Sequence, residues 1–252
     1  MIYLNIDEIR TAIPALSSCI YMNSGGIGPT PQIVLDEIMR LYSLQAGMGA
    51  GTPPVMKEVR GCAEQTRLGA ADLLGVDPSE VAFVRNPGEG VNVVLWGLDL
   101  KPGDEIVTSA EEHVSVFGPC AQLAKTKGIK IRTLELAADK ETLINNFERL
   151  LTPRTRLVCL SYVTCETGTK IPAKEICDIA RGKDVPVLLD GAQATGQFPI
   201  NLRELGCDFY VTSGHKWMMG PWGVGISYVR RDWLDKLEVS WTGSGVQSSL
   251  DW

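Results

Sequence analysis

Two short segments hold the side chains most suited to covalent chemistry: Ser213-Gly214-His215-Lys216 and Asp190-Gly191-Ala192-Gln193. Each closes a short apolar run, 207–212 before the first and 185–190 in the second, and such runs read as buried strands. A lysine at the end of a core strand, between the apolar walls of Trp217, Met218 and Met219, is an amine drawn out of water. Proteins use that placement to make lysine nucleophilic toward aldehydes. The same pattern also describes a surface lysine whose stem lies along a tryptophan. An aspartate ending a wholly apolar strand is expensive to bury unless a cation or hydrogen-bond donors face it.

The other strand ends decide between these uses. In open α/β sheets, ligands sit outside the carboxyl ends of the strands. After strand 81–85 comes Asn86-Pro87-Gly88-Glu89-Gly90, a glycine-rich turn whose amides and helix dipole suit a phosphate, though an ordinary turn has the same composition. After 105–109 come Glu111-Glu112-His113, with one of only two histidines; it serves either as a flat partner for a ring or as a helix cap. After 155–162 comes the polar loop Val163-Thr164-Cys165-Glu166-Thr167-Gly168. Each feature has an ordinary structural use, and all five ordinary uses holding at once is the less economical account. Together they match pyridoxal 5′-phosphate. Its aldehyde takes a lysine as a Schiff base, its ring nitrogen needs an anion, its ring a flat neighbour, and its phosphate amides and hydroxyls.

The elements that position these turns follow from periodicity. A weak helical pattern in 1–20 leads into Tyr21-Met22-Asn23-Ser24-Gly25-Gly26-Ile27-Gly28-Pro29, an irregular loop with accessible amides. Helices are predicted over 32–44 and 55–74, the first broken at Gly47 and the second ended by Gly75 and Pro78. Strands 81–85, 105–109, 130–134, 155–162, 185–190, 207–212 and 224–230 then alternate with helices 91–98, 115–127, 143–151 and 173–182. That alternation predicts an α/β fold, a mostly parallel seven-stranded sheet with helices on both faces. Near-continuous apolar strands such as Leu157-Val158-Cys159-Leu160 fit coverage on both sides.

Composition narrows the function classes. The 252 residues carry a net charge of −6 without a basic run, so nucleic acid is not expected as a partner. Seven scattered cysteines, no Cys-x-x-Cys and no signal peptide read as reduced thiols in a cytosolic protein, with no metal site. No apolar run approaches the roughly 20 residues of a bilayer span. A nucleotide-binding reading lacks both a Gly-x-Gly-x-x-Gly turn and a Walker lysine.

The motifs Tyr21-Met22-Asn23-Ser24-Gly25-Gly26, Arg85-Asn86-Pro87-Gly88-Glu89-Gly90, Glu112-His113, Asp190-Gly191-Ala192-Gln193 and Ser213-Gly214-His215-Lys216 occur in the order of the class V aminotransferase family, and the chain resembles it. That family includes cysteine desulfurases, cysteine C–S lyases and isopenicillin-N-epimerase-like enzymes. The resemblance implies the large domain of the fold-type-I transferases over 21–240, preceded by an arm at 1–20 and followed by the start of a shortened C-terminal domain at 241–252. It implies an aldimine at Lys216, which also moves the substrate's α-proton, with Asp190 on the ring nitrogen, Gln193 on the phenolic oxygen and His113 stacked on the ring. Gly88, Glu89, Ser213 and His215 would surround the phosphate, and Asn23 and Thr164 the amino-acid substrate. Ser240-Trp241-Thr242-Gly243 resembles a segment lent to a partner's phosphate site, so a homodimer is implied, with Thr242 a cofactor contact. Two departures stand out. Pro87-Gly88 replace the threonine that relatives carry there. The chain also stops at Trp252, before the substrate-binding arginine and the catalytic-cysteine loop of desulfurases. The resemblance therefore implies transamination or C–S bond elimination or desulfuration on an amino acid, or else a truncated, non-catalytic cofactor-binding or pseudo-enzyme partner protein.

Overall fold

The computed structural model describes residues 5–241. The seven expected strands are present: β1 (Val81–Val84), β2 (Glu105–Ser109), β3 (Lys130–Leu134), β4 (Thr155–Ser161), β5 (Val187–Asp190), β6 (Phe209–Ser213) and β7 (Gly225–Val229). They form one sheet in the order β1-β7-β6-β5-β4-β2-β3. Strands β3, β2, β4, β5 and β6 are mutually parallel, whereas β7 runs antiparallel to both β6 and β1. Six strands therefore point the same way. Their carboxyl ends share one edge.

Nine α-helices occur among the described residues: α1 (Ile6–Ala12), α2 (Gln32–Met48), α3 (Pro53–Leu74), α4 (Pro87–Gly97), α5 (Val114–Lys127), α6 (Lys140–Leu150), α7 (Ala173–Arg181), α8 (Leu202–Leu205) and α9 (Arg231–Leu234). The period-2 alternation of side chains splits the sheet between two cores. Val158, Leu160, Leu189 and Tyr210 pack with α3, α6 and α7 on one face. Leu157, Cys159, Leu188 and Phe209 pack with α4 and α5 on the other. This double coverage is why the strands read as unbroken apolar runs.

Several boundaries differ from the sequence expectation for local reasons. Helix α4 starts at Pro87 rather than Val91, because Asn86 caps it by accepting from the Glu89 amide at 3.0 Å and proline suits the first helical position. The glycine-rich turn is thus the first turn of the helix itself. Helix α2 runs through Gly47 to Met48, since a single interior glycine costs only about 1 kcal/mol. Strand β5 starts at Val187, after Pro186, which has no N–H for the ladder. Cys207 lies just outside β6, which extends instead to Ser213.

Helix α4 meets the sheet through bare backbone. A Cβ built on Gly90 would lie 2.5 Å from Val211 Cγ1, in a fully buried position. Gly90→Ala is expected to lower stability by about 1–3 kcal/mol in urea denaturation. Combined with Val211→Ala, it should lower stability by less than the sum of the two single changes, because the second substitution removes the obstructing methyl.

Candidate active site

The turns after the parallel strands surround a cavity of about 800 Å³ at the shared edge. Lys216, Asp190, His113 and Gln193 line it, as do Gly88, Ser213 and His215. Asn23 and Thr164 line it from two further loops. Nine of the eleven residues singled out from the sequence therefore meet in one place. Glu89 does not: its carboxylate turns away to Arg85, accepting from the guanidinium at 2.9 Å, and lines a neighbouring depression with Trp241. Thr242 lies outside the described residues.

Asp190 ends β5 and is 3% exposed. Its Oδ1 accepts from the Ala192 amide at 2.8 Å, the one hydrogen bond its carboxylate receives among the described residues. Burial pushes its pKa up to about 6; the Ala192 amide and Lys216 pull it down, and Glu112 pushes the same way as burial. Lys216 follows β6 in a turn closed by Met219 N donating to the Lys216 carbonyl at 3.0 Å. The sequence reading of a buried lysine needs correction: Lys216 is half-buried, because the cavity it lines is open to solvent.

His113 performs the capping role as well as facing the cavity. Its Nδ1 accepts from the Ser115 amide at 3.1 Å and lies 2.7 Å from Ser115 Oγ, which leaves the ring proton on Nε2. Burial and the nearby Lys216 both hold its pKa below the usual histidine range. Gln193 is bound at both ends of its amide: Nε2 donates to the Gly25 carbonyl at 2.9 Å, and Oε1 accepts from Trp217 Nε1 at 2.8 Å.

Among the described residues, Ser213 Oγ and His215 Nδ1 are buried polar atoms with no hydrogen-bond partner. Such atoms are rare without a ligand to satisfy them. Both belong to cavity-lining residues, together with Gly88 in the first turn of α4, whose amide has no intrahelical partner. The donor set fits a phosphate, and the lysine and carboxyl fit an aldehyde-bearing, protonated ring. Pyridoxal 5′-phosphate satisfies both.

Some contacts at the site escape a reading of the sequence. Glu112 spans two strand ends, accepting from Ser109 Oγ at 2.8 Å and from Ser161 Oγ at 2.6 Å, and burial raises its pKa. Ser161 sits opposite Asp190 in the ladder, a neighbour that only the strand order reveals. Cys165 also lines the cavity, and burial, reinforced by Glu166, raises its thiol pKa. All seven cysteines are free.

The Aminotransferase class-V family model matches residues 20–251. This chain belongs to the class-V aminotransferase family. As a class-V chain it is 32% identical to isopenicillin N epimerase of Streptomyces clavuligerus over 257 residues, covering 97% of this chain and 64% of that protein. It is 33% identical to a cysteine desulfurase of Yersinia pseudotuberculosis, covering 96% of this chain and 62% of the relative. Among solved structures, it superposes with a TM-score of 0.87 and 32% identity on a C-DES mutant with glycine covalently linked to its PLP cofactor, covering 93% of this chain and 62% of that one. The chain thus spans somewhat under two thirds of the length of these class-V relatives.

The raised Asp190 pKa gives a signed prediction. A carboxyl whose folded pKa lies above its unfolded value of 3.8 favours the fold in its neutral form. Its stabilisation is complete below about pH 4 and fades as pH rises through about 6. Apoprotein stability in urea should fall by up to about 3 kcal/mol between pH 4 and pH 7 relative to an Asp190→Asn variant. Parallel pH profiles for the two proteins would refute the assignment.

Proposed function

We propose that the cavity holds pyridoxal 5′-phosphate and that the protein uses it on an amino acid, by transamination or by breaking a carbon–sulfur bond. The observation that carries this reading is the meeting of an amine, a buried carboxyl and two unpartnered polar atoms, Ser213 Oγ and His215 Nδ1, in one cavity. The bound cofactor supplies an electron-accepting ring for the pair left when a bond at the α-carbon breaks.

Lys216 supplies the amine that holds the aldehyde covalently, and its Nζ then carries the substrate's α-proton. Asp190 keeps a proton on the ring nitrogen. A carboxyl that burial has raised to about 6 gains its charge most readily opposite a cation, so the pair stabilises itself. His113 stacks on the ring, with its orientation set by the bond to Ser115. Gly88, Ser213 and His215 grip the phosphate. Glu89, in the first turn of α4, has its carboxylate engaged by Arg85 rather than turned to the phosphate. Gln193 reaches the phenolic oxygen with the amide hydrogen not given to Gly25. Asn23 and Thr164 face the amino acid.

The narrower reading is elimination or desulfuration on a sulfur amino acid, supported by likeness to a cysteine desulfurase and to C-DES, described as a cystine C–S lyase. A homodimer belongs to the same proposal, with the segment beginning at Ser240-Trp241 reaching toward the phosphate side. Trp241 is 68% exposed at the depression beside Gly88.

Purified protein given the cofactor should absorb visible light, and Lys216→Ala should abolish that band. Asp190→Ala should lower turnover on cysteine or cystine by roughly 100-fold or more while the cofactor Kd rises only about tenfold, because the phosphate grip survives. Unchanged turnover in Asp190→Ala would remove the ring-nitrogen role.

A further inference from the structure

The turn that carries Lys216 is located by contact with bare main chain on two sides. From the N-terminal loop, the Gly28 N–H donates to the His215 carbonyl at 2.6 Å. A Cβ built on Gly28 would lie 2.0 Å from the Lys216 carbonyl oxygen and 3.3 Å from Met219 Cα. From the loop after β5, Gly196 approaches at φ +93°, and its Cβ would lie 2.8 Å from the Trp217 carbonyl carbon. The opposing atoms are backbone and cannot rotate aside as a side chain does. A polar relay adds a third tie: Trp217 Nε1 donates to Gln193, and Gln193 donates to the Gly25 carbonyl.

We propose that Gly28, Gly196 and the Gly25–Gln193–Trp217 relay are positioning residues for Lys216. They fix its main chain so that the amine reaches the cofactor aldehyde while the phosphate stays in its grip. The proposal rests on the cofactor reading above. The relay gives the Gln193 amide a role beyond contact with the cofactor, because it joins the lysine turn to the loop that also carries Asn23. A carbon–nitrogen bond forms only from a near-attack separation, and a displacement of about 1 Å costs on the order of 100-fold in rate. A methyl placed 2.0 Å from a carbonyl oxygen forces a displacement of that size.

Three variants test this: Gly28→Ala, Trp217→Phe, which removes only the indole donor and keeps a ring, and Gly61→Ala as control, where a Cβ meets nothing within 4 Å. For each, the apoprotein melting temperature, cofactor retention in equilibrium dialysis, and the rate of borohydride-trapped adduct formation on Lys216 by mass spectrometry are measured. Trapping should slow roughly 100-fold in Gly28→Ala and roughly tenfold in Trp217→Phe. In both, retention should change less than about threefold, and the control should match wild type in trapping and retention and melt no lower. Wild-type trapping rates in both variants would overturn the proposal alone. So would trapping and retention falling by one common factor with the melting temperature, which assigns these residues to general stability. If the wild-type lysine forms no adduct, the cofactor reading fails and the proposal falls with it.

Discussion

An ionisable carboxyl enclosed at the end of an apolar strand, with one amide for a hydrogen-bond partner, is the constraint to which the rest of this site responds. Asp190 could be relieved by protonation or by a cation, and the sheet brings a lysine to the end of the adjacent strand. Its other flank carries a second carboxyl, Glu112, held between Ser109 and Ser161. Burial raises the pKa of both carboxyls, Asp190 and Glu112, and the Lys216 amine on the other flank pulls that of Asp190 back down. A cation placed beside Asp190 would draw that carboxyl toward its charged form.

The parallel strands make this possible. Because six strands share a direction, the turns that follow them open on one edge, and residues far apart in sequence become neighbours without any dedicated framework. The reversed strand β7 contributes differently. It returns beside β6, so the lysine turn is tied at both ends, with Gly214 N donating to the Val224 carbonyl at 2.8 Å. The double anchor fixes the main chain from which the Lys216 side chain extends.

Much of this is legible in the sequence, since apolar runs ending in Asp190 or Ser213 mark strand ends directly. Strand order is not legible. The pairing of Ser161 with Asp190, and the reach of Glu112 across to Ser161, depend on which strand lies beside which. The path of the 21–29 loop is equally hidden. Its glycines announce freedom from side chains, but only the folded chain shows that Gly28 uses that freedom to meet the Lys216 carbonyl. The extent of burial at Lys216 also depends on how widely the cavity opens, which neighbouring apolar residues in the sequence do not report.

The pairing of β1 has a consequence for how the chain comes to be folded. Among the described residues, β1 hydrogen-bonds to β7 alone, and β7 is the last strand of the sheet to be synthesised. The early strand and the glycine-rich helix start after it therefore wait, unpaired, until nearly all the described chain has left the ribosome. Long-range pairing of this kind is slow and leaves sticky edges exposed meanwhile. The first turn of α4, which lines the cavity through Gly88, is thus among the last parts of the described chain to be seated against the sheet.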